Sequence, residues 1–355
     1  MTISKQLQDD IDNEMKEFEH NMYRERCEKL PNITEEDWKD ININSENREL
    51  IEDYLLEGTT NLRPKTKTQY TSGLRIFAKF IMDKLNNKPI YKLNKRDFLR
   101  YQNFLIRHGM SSNGIKFKRS AVSSMCNYLE TYYFGTDDRF DNFRNITKGV
   151  EKPAPNLVYK KVLVSEEEYQ LIKNTLLEDG KLRDYAMFVV CMESGMRGGE
   201  LRQIKRKEVY KEVDPEDGYF LTDTIFGKGG GEGKPLEYMI NQIALDAMKL
   251  YNESKDKEDG SEFLFTVKYN GEYQQVSESY FETVCRETLS DIVSRRINEH
   301  LFRASCATRL LLAGVPEILV SKYVLHHNDL STLKHYDLRD FKEERSKIFA
   351  HVQEE

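Results

Sequence analysis

Cysteine is scarce and unpaired in this 355-residue sequence: Cys27, Cys126, Cys191, Cys285 and Cys306 are odd in number, widely scattered and never in a CxxC pair. That pattern implies neither a disulfide framework nor a zinc site, and a reducing cytoplasm is the expected compartment. No apolar stretch approaches the ~20 residues a membrane helix needs, and the first residues carry neither a basic start nor an apolar signal core. Neither membrane insertion nor export is expected. The adjacent His326 and His327 have no carboxylate at HExxH spacing, so no metal is expected. The glycine-rich run from Gly227 to Gly233 lacks the GxxxxGK[ST] order of a nucleotide-binding loop. There is no internal repeat, and the length favours two domains, each with its own core.

Charge is abundant, 32% of residues, and the net value of −6 at first argues against a nucleic-acid partner. The average hides a strong asymmetry. Residues 1–60 carry −10, residues 61–160 carry +13 and residues 161–355 carry −9. A basic block of this kind is either a solvated helical surface or a phosphate-binding face, and charge alone does not choose between them.

Residues 1–50 read as an acidic extension, with a helix around Ile11 to Leu30 and then a turn-rich stretch through Pro31 and the run Glu35, Glu36, Asp37. Residues 51–150 read as a small basic helical domain. Tyr70, Leu74, Phe77, Phe80 and Ile81 recur at three and four, predicting a helix over 64–84 that displays Lys65 and Lys67. Asn94 is a candidate N-cap for a second helix with Phe98, Tyr101, Phe104 and Leu105 inward, closed by Gly109. A third, over 113–133, packs through Ile115, Val122, Met125 and Leu129 and is expected to expose Lys116, Lys118 and Arg119. Two prolines in Glu151-Lys-Pro-Ala-Pro-Asn mark a linker over 151–162.

A second domain is expected over 163–355. Ser165 with Glu168 is a capping-box signature, and an apolar helix over 182–194 ends at Gly195. Strands over 219–226 and 235–240 flank the glycine-rich turn, with a further short strand over 262–267. Helices follow over 278–290, 299–313, 316–325 and 330–336, with a charged tail helix over 339–351. The fold class is therefore mainly α with a small antiparallel β-sheet.

Four segments carry polar groups that local structure does not demand. In Glu193-Ser-Gly-Met-Arg197-Gly-Gly-Glu200-Leu, an arginine and a glutamate flank glycines that would let backbone approach a ligand; such a pair at a helix start is often only a structural ion pair. His300 and Arg303 lie three apart on one helical face. Lys228 sits at the glycine-rich tip. Leu325-His326-His327 is followed, nine residues after His327, by Tyr336.

Taken together, the order Arg197, Lys228, His300-x-x-Arg303, His327, Tyr336 resembles the tyrosine recombinase or phage integrase family. The resemblance covers roughly residues 50–345, and the basic helical domain matches what is the core-binding, SAM-like domain in that family. Two positions depart from its pattern: Ala304 stands where histidine is frequent and His326 where glycine is frequent. The resemblance implies an enzyme that breaks and rejoins DNA through a 3′-phosphotyrosyl bond on Tyr336, needing neither metal nor cofactor. Arg197 and Arg303 would clamp the phosphoryl oxygens, because a guanidinium stays charged and binds two oxygens at once. Lys228 would protonate the departing 5′ oxygen, and His300 and His327 would assist proton movement.

The resemblance also implies duplex DNA and a homo-tetramer on paired sites as partners, with an accessory or directionality protein conceivable, and residence in the cytoplasm on the nucleoid. Lys65, Lys67, Lys116, Lys118 and Arg119 are the expected phosphate contacts of the basic domain. Lys205, Arg206 and Lys207 are those of the acidic catalytic domain. Two alternatives share part of this reading: a type IB topoisomerase-like enzyme that relaxes DNA, and a DNA-binding regulator without catalysis.

Overall fold

In the computed structural model, the described residues are 30, 32–154, 162–227 and 233–339. The acidic helix expected before residue 30, most of the linker, Lys228 and the tail helix lie outside them. The chain divides into two compact units, Met1–Lys160 and Lys161–Glu355. Among the described residues no helix is long and apolar enough to cross a membrane.

The first unit is helical: α1 (Glu35–Asp40), α2 (Ser45–Glu57), α3 (Pro64–Lys84), α4 (Lys95–Arg107) and α5 (Ser112–Tyr132). Local chemistry sets the ends. Thr34 and Asp37 form a capping box on α1, Asn94 and Asp97 another on α4, and Pro64 opens α3 where a missing N–H costs nothing. Helix α3 lies on α5, where Gly73 faces Ala121, and α2 and α4 also pack on α5. Leu74, Phe77, Ile81, Phe98, Tyr101, Val122, Met125 and Leu129 fill the centre.

Two expectations fail here. Residues 32–50 are not an appendage, because Ile33, Trp38, Ile43 and Leu50 are buried in this same core. Trp38 also donates from Nε1 to Glu52 at 2.8 Å. Arg119 is not displayed either. It is 8% exposed, lies over the Phe98 ring, and donates to Gln102 and to the carbonyl of Val150. It closes the residue 150–151 segment onto α5 and has no face left for DNA. Lys65 is exposed, while Lys67, Lys116 and Lys118 are half-buried.

The second unit is built around α7 (Leu182–Ser194), whose residues from Ala186 to Met192 are all buried. Around it pack α6 (Glu166–Glu178), α9 (Gln242–Ser254) and α11 (Glu299–Leu312), while α8 (Gly198–Leu201) follows directly. The expected hairpin exists, but as two short antiparallel ladders: β1 (Phe220–Leu221) with β4 (Met239–Ile240), and β2 (Ile225–Gly227) with β3 (Lys234–Leu236). Thr222 bridges the break, its hydroxyl accepting from the Tyr238 amide at 3.0 Å.

Two elements were missed in the sequence. Helix α9, capped by Asn241, has the inward period Ala244, Leu245, Met248, Tyr251. The strand β5 (Thr266–Tyr269) has a partner, β6 (Glu272–Gln275), across Asn270 and Gly271. Both turn residues have positive φ, as an Asn-Gly hairpin turn requires, so the signal was present. The helix α10 (Tyr280–Val284) runs on through a π turn, and α12 (Glu317–Leu319) runs on through another at Val320–Val324.

Candidate active site

Arg303 is the pivot of the second unit. It projects inward from α11, is 1% exposed, and donates from Nη1 to the Gly195 carbonyl at 2.5 Å and from Nη2 to the Leu325 carbonyl. Those two carbonyls belong to the C-terminal end of α7 and to the segment that carries His327. One guanidinium therefore ties three chain segments together. Burial, then the nearby Arg197, weakens its hold on its proton, yet arginine stays charged at any pH of interest. Its Nε has no hydrogen-bond partner among the described residues.

Gly195 has φ +68 and ends α7 by turning the chain sharply into Arg197. The Arg197 amide donates to Glu200 Oε2 at 3.0 Å, and its guanidinium lies 2.8 Å from Glu200 Oε1. The buried Tyr238 hydroxyl donates to the same carboxylate. Burial alone would raise the Glu200 pKa, but Arg197 and Tyr238 hold it below the usual range. Of the two glycines after Arg197, Gly199 faces open space, whereas Gly198 is committed within the protein. Gly198 donates its amide to Glu299 Oε2 at 2.9 Å, and a Cβ there would collide with that carboxylate.

The π turn at Val320–Val324 lets the Leu325 amide reach the Val320 carbonyl at 2.9 Å and the His327 amide reach that of Ser321 at 2.9 Å. This extra residue in the turn swings His326 and His327 inward; such bulges are frequent at functional sites. His326 packs edge-on against Tyr238, with centroids 4.5 Å apart. The His327 ring lies 5.1 Å from that of Tyr336, and the Arg303 guanidinium carbon lies 5.5 Å from the same tyrosine ring. Thr308 of α11 pins the nucleophile candidate by its backbone, donating to the Tyr336 carbonyl at 3.0 Å.

Burial, reinforced by Arg303, holds both imidazoles down at about 4. In the unfolded chain they protonate near 6.5. Between those values the unfolded state binds more protons, so stability is fully present above ~6.5 and is lost as pH falls toward 4. Urea midpoints at pH 7, 5.5 and 4.5 are expected to drop progressively, and the drop is expected to be smaller in a His326→Gln, His327→Gln double variant. Equal pH dependence in the two proteins would show that these rings are not the source.

His326 has φ +49, a conformation that favours glycine. A side chain there costs on the order of 1 kcal/mol. His326→Gly removes that strain while His326→Ala keeps it, and both lose the ring. The glycine variant is expected to be more stable than the alanine variant by about 1 kcal/mol in urea unfolding. The reverse order would mean that the backbone adopts another conformation.

Of the six residues expected to act together, the structure gathers Arg197, Arg303, His327 and Tyr336. Lys228 lies outside the described residues. The side chain of His300 is 56% exposed, with Nδ1 3.7 Å from Glu299, and it does not line the cleft. His300 and Arg303 thus do not share one environment: they sit about 60° apart around the helix, enough to put one inside and one out. Sequence reasoning missed Lys234, Thr308 and Tyr238, while the Arg197–Glu200 ion pair it had offered as one reading is present. The cleft of about 290 Å³ is lined by Arg197, Lys234, His326, His327, Asp329 and Thr332 among others.

The Lys205–Lys207 cluster lines a separate, larger cleft of about 930 Å³ with Glu208, Asp223, Glu237 and Glu262. Arg206 donates from Nε to Asn252 and from Nη1 to the Asp259 carbonyl. Lys205 pairs with Glu262 at 2.8 Å and Lys207 with Asp223 at 2.5 Å.

An arginine and an imidazole meeting one tyrosine ring, with a second arginine in the same cleft as the imidazole, in a helical unit with a short hairpin, are the frame of a tyrosine-type recombinase. The family model described as the phage integrase family matches residues 161–343. The SPbeta prophage-derived recombinase-like protein YomM of Bacillus subtilis (strain 168) is 44% identical over 337 residues, covering 94% of this chain and 99% of the relative. The tyrosine recombinase XerC of Chlorobaculum tepidum is 23% identical over 309 residues, 79% of this chain and 87% of that one. In fold, the chain is similar to the XerH site-specific recombinase bound to a palindromic difH substrate, with TM-score 0.60, 18% identity and 97% of each chain covered. It is also similar to the Tn1549 transposon integrase in complex with a circular intermediate DNA, with TM-score 0.62, 16% identity and coverage of 85% and 98%. This chain belongs to the phage integrase family and is a site-specific tyrosine recombinase.

Proposed function

We propose that the recombinase cuts duplex DNA by attack of Tyr336 Oη on a backbone phosphorus. The P–Oη bond forms as the P–O5′ bond breaks, leaving a 3′-phosphotyrosyl link and a free 5′ hydroxyl. That hydroxyl, or one from a partner strand, reverses the step, and the link conserves the energy needed to rejoin. The observation that carries this reading is the convergence of Arg303 and His327 on the Tyr336 ring.

Arg197 and Arg303 would stabilise the charge that develops on the phosphoryl oxygens, an effect strongest in the transition state. His327, neutral in the DNA-free protein, has a lone pair to receive the phenolic proton. Lys228 would supply the proton to O5′, and His300 would sit on the solvent side where the strand enters. Because Tyr336 lies across Arg303, the incoming phosphate would take the place of that ring as the phenol turns toward phosphorus.

DNA complexes among the structural neighbours support duplex DNA as the substrate. The +13 of residues 61–160 supplies phosphate affinity, with Lys65, Lys67, Lys116 and Lys118 as the contacts. Lys205 and Lys207 can exchange their surface carboxylates for phosphate, because exposed pairs are worth only ~0–1 kcal/mol. Exchange between two sites calls for four protomers, one tyrosine per strand cut, and an accessory protein would set direction.

The test is trapping on nicked duplexes that carry a site selected by the protein from random-sequence DNA. A protein–DNA adduct that resists denaturant, forms in EDTA and maps to Tyr336 is expected. Tight site binding without any adduct would favour a regulator, and adducts on any duplex with supercoil relaxation would favour a topoisomerase.

A further inference from the structure

The lysine of the β3 strand carries an assignment of its own. Lys234 Nζ donates to Asn328 Oδ1 at 2.8 Å and approaches the His326 carbonyl at 3.4 Å. Its ammonium therefore sits in the same cleft as Arg197 and His327. Its backbone is fixed. Lys234 is the register partner of Gly227, and Gly233 (φ +97) comes so near that a Cβ would lie 2.7 Å from the Gly227 carbonyl. Pro235 follows and adds a rigid φ.

Charge gives the second observation. Arg197 has Glu200 as its counter-ion, whereas both hydrogen-bond partners of Lys234 are uncharged. Asp329, the other carboxylate at the cleft, accepts from the Ser331 amide. A lysine has three donors; two are aimed here by neutral oxygens, leaving one and the full charge for an anion. With the Arg303 guanidinium near His327 counted in, three cations, Arg197, Lys234 and Arg303, stand against two carboxylates, Glu200 and Asp329.

We propose that Lys234 is a second lysine of the strand-transfer site, one that binds a non-bridging oxygen of the target phosphate while Asn328 and the His326 carbonyl aim it. The assignment rests on the phosphotyrosyl reading above and divides the labour between two lysines. Lys228 moves a proton to the leaving oxygen; Lys234 moves none and holds charge.

The test compares Lys234→Gln, Lys234→Arg and Lys228→Gln in the full chain on two nicked substrates, one ordinary and one with sulfur in place of the bridging 5′ oxygen. Sulfur leaves without a proton, so it restores a variant that lacks only the acid. Lys228→Gln is expected to be restored. Lys234→Gln is expected to form adduct about 10²-fold more slowly on both substrates, in the range for loss of one oxyanion donor. Lys234→Arg, which keeps the charge, is expected to recover most of the rate, showing that the hairpin itself is intact. Restoration of Lys234→Gln by sulfur, or its unchanged rate on both substrates, overturns the assignment. No adduct from the unsubstituted protein overturns the phosphotyrosyl reading itself, and this assignment with it.

Discussion

Tyr336→Phe is expected to abolish the covalent protein–DNA adduct while leaving folding and site affinity intact. The contacts that hold its backbone and its ring do not use its hydroxyl. Its amide donates to the Leu333 carbonyl at 2.7 Å, its carbonyl accepts from Thr308, and its ring face meets Arg303 and His327. Phenylalanine keeps all of these. The variant removes the proposed nucleophile, and deletions of a nucleophile in comparable covalent enzymes cost on the order of 10⁶ in rate. Urea stability within about 0.5 kcal/mol of the parent, the usual range for a change outside the core, should accompany the loss. An adduct of equal yield from the variant would move the nucleophile to another of the tyrosines.

Arg303 behaves differently, because its removal acts on the fold and the chemistry together. Arg303→Ala leaves the Gly195 and Leu325 carbonyls buried without their donor, each at about 1–3 kcal/mol, and opens a cavity as well. Relief from burying a charge works in the opposite direction. For alanine the orphaned carbonyls and cavity win, and a loss of about 3–5 kcal/mol is expected in urea unfolding of the second unit. Arg303→Met fills the volume, so relief of the charge offsets more of the cost and the loss should be clearly smaller. Adduct formation should nevertheless fall at least ~10²-fold in both, since neither carries a donor for the phosphate. A methionine variant with near-parental cleavage would confine Arg303 to a structural role. An alanine variant as stable as the parent would show that the three segments are held by something else.

These contrasts show what sequence can carry. The helices at 64–84, 95–107 and 112–132 were legible because their signals are local: apolar period, an Asn or Ser cap, a proline at the first turn. Of the candidate set, Arg197, Arg303, His327 and Tyr336 were legible through order and the nine-residue step from His327 to Tyr336, a step spanned here by one loop and a 3-10 turn. What failed depends on distant chain. Arg119 looks like its basic neighbours Lys116 and Lys118 until the residue 150–151 carbonyls arrive beside it. Trp38 sits on a six-residue helix too short to show a period. Lys234 takes its place from Asn328, 94 positions further on, and nothing in a hairpin sequence announces that contact.

The clasp made by Arg303 also bears on how a lineage of such proteins can decay. A copy that lost Tyr336 would remain a folded protein able to occupy its site, and selection could retain it as a repressor or a competitor of active copies. A copy that lost Arg303 to a small residue would fall below the stability needed to persist, and would be cleared before any new role could be tested. Silenced descendants of this chain should therefore carry an altered tyrosine or histidine far more often than an altered Arg303.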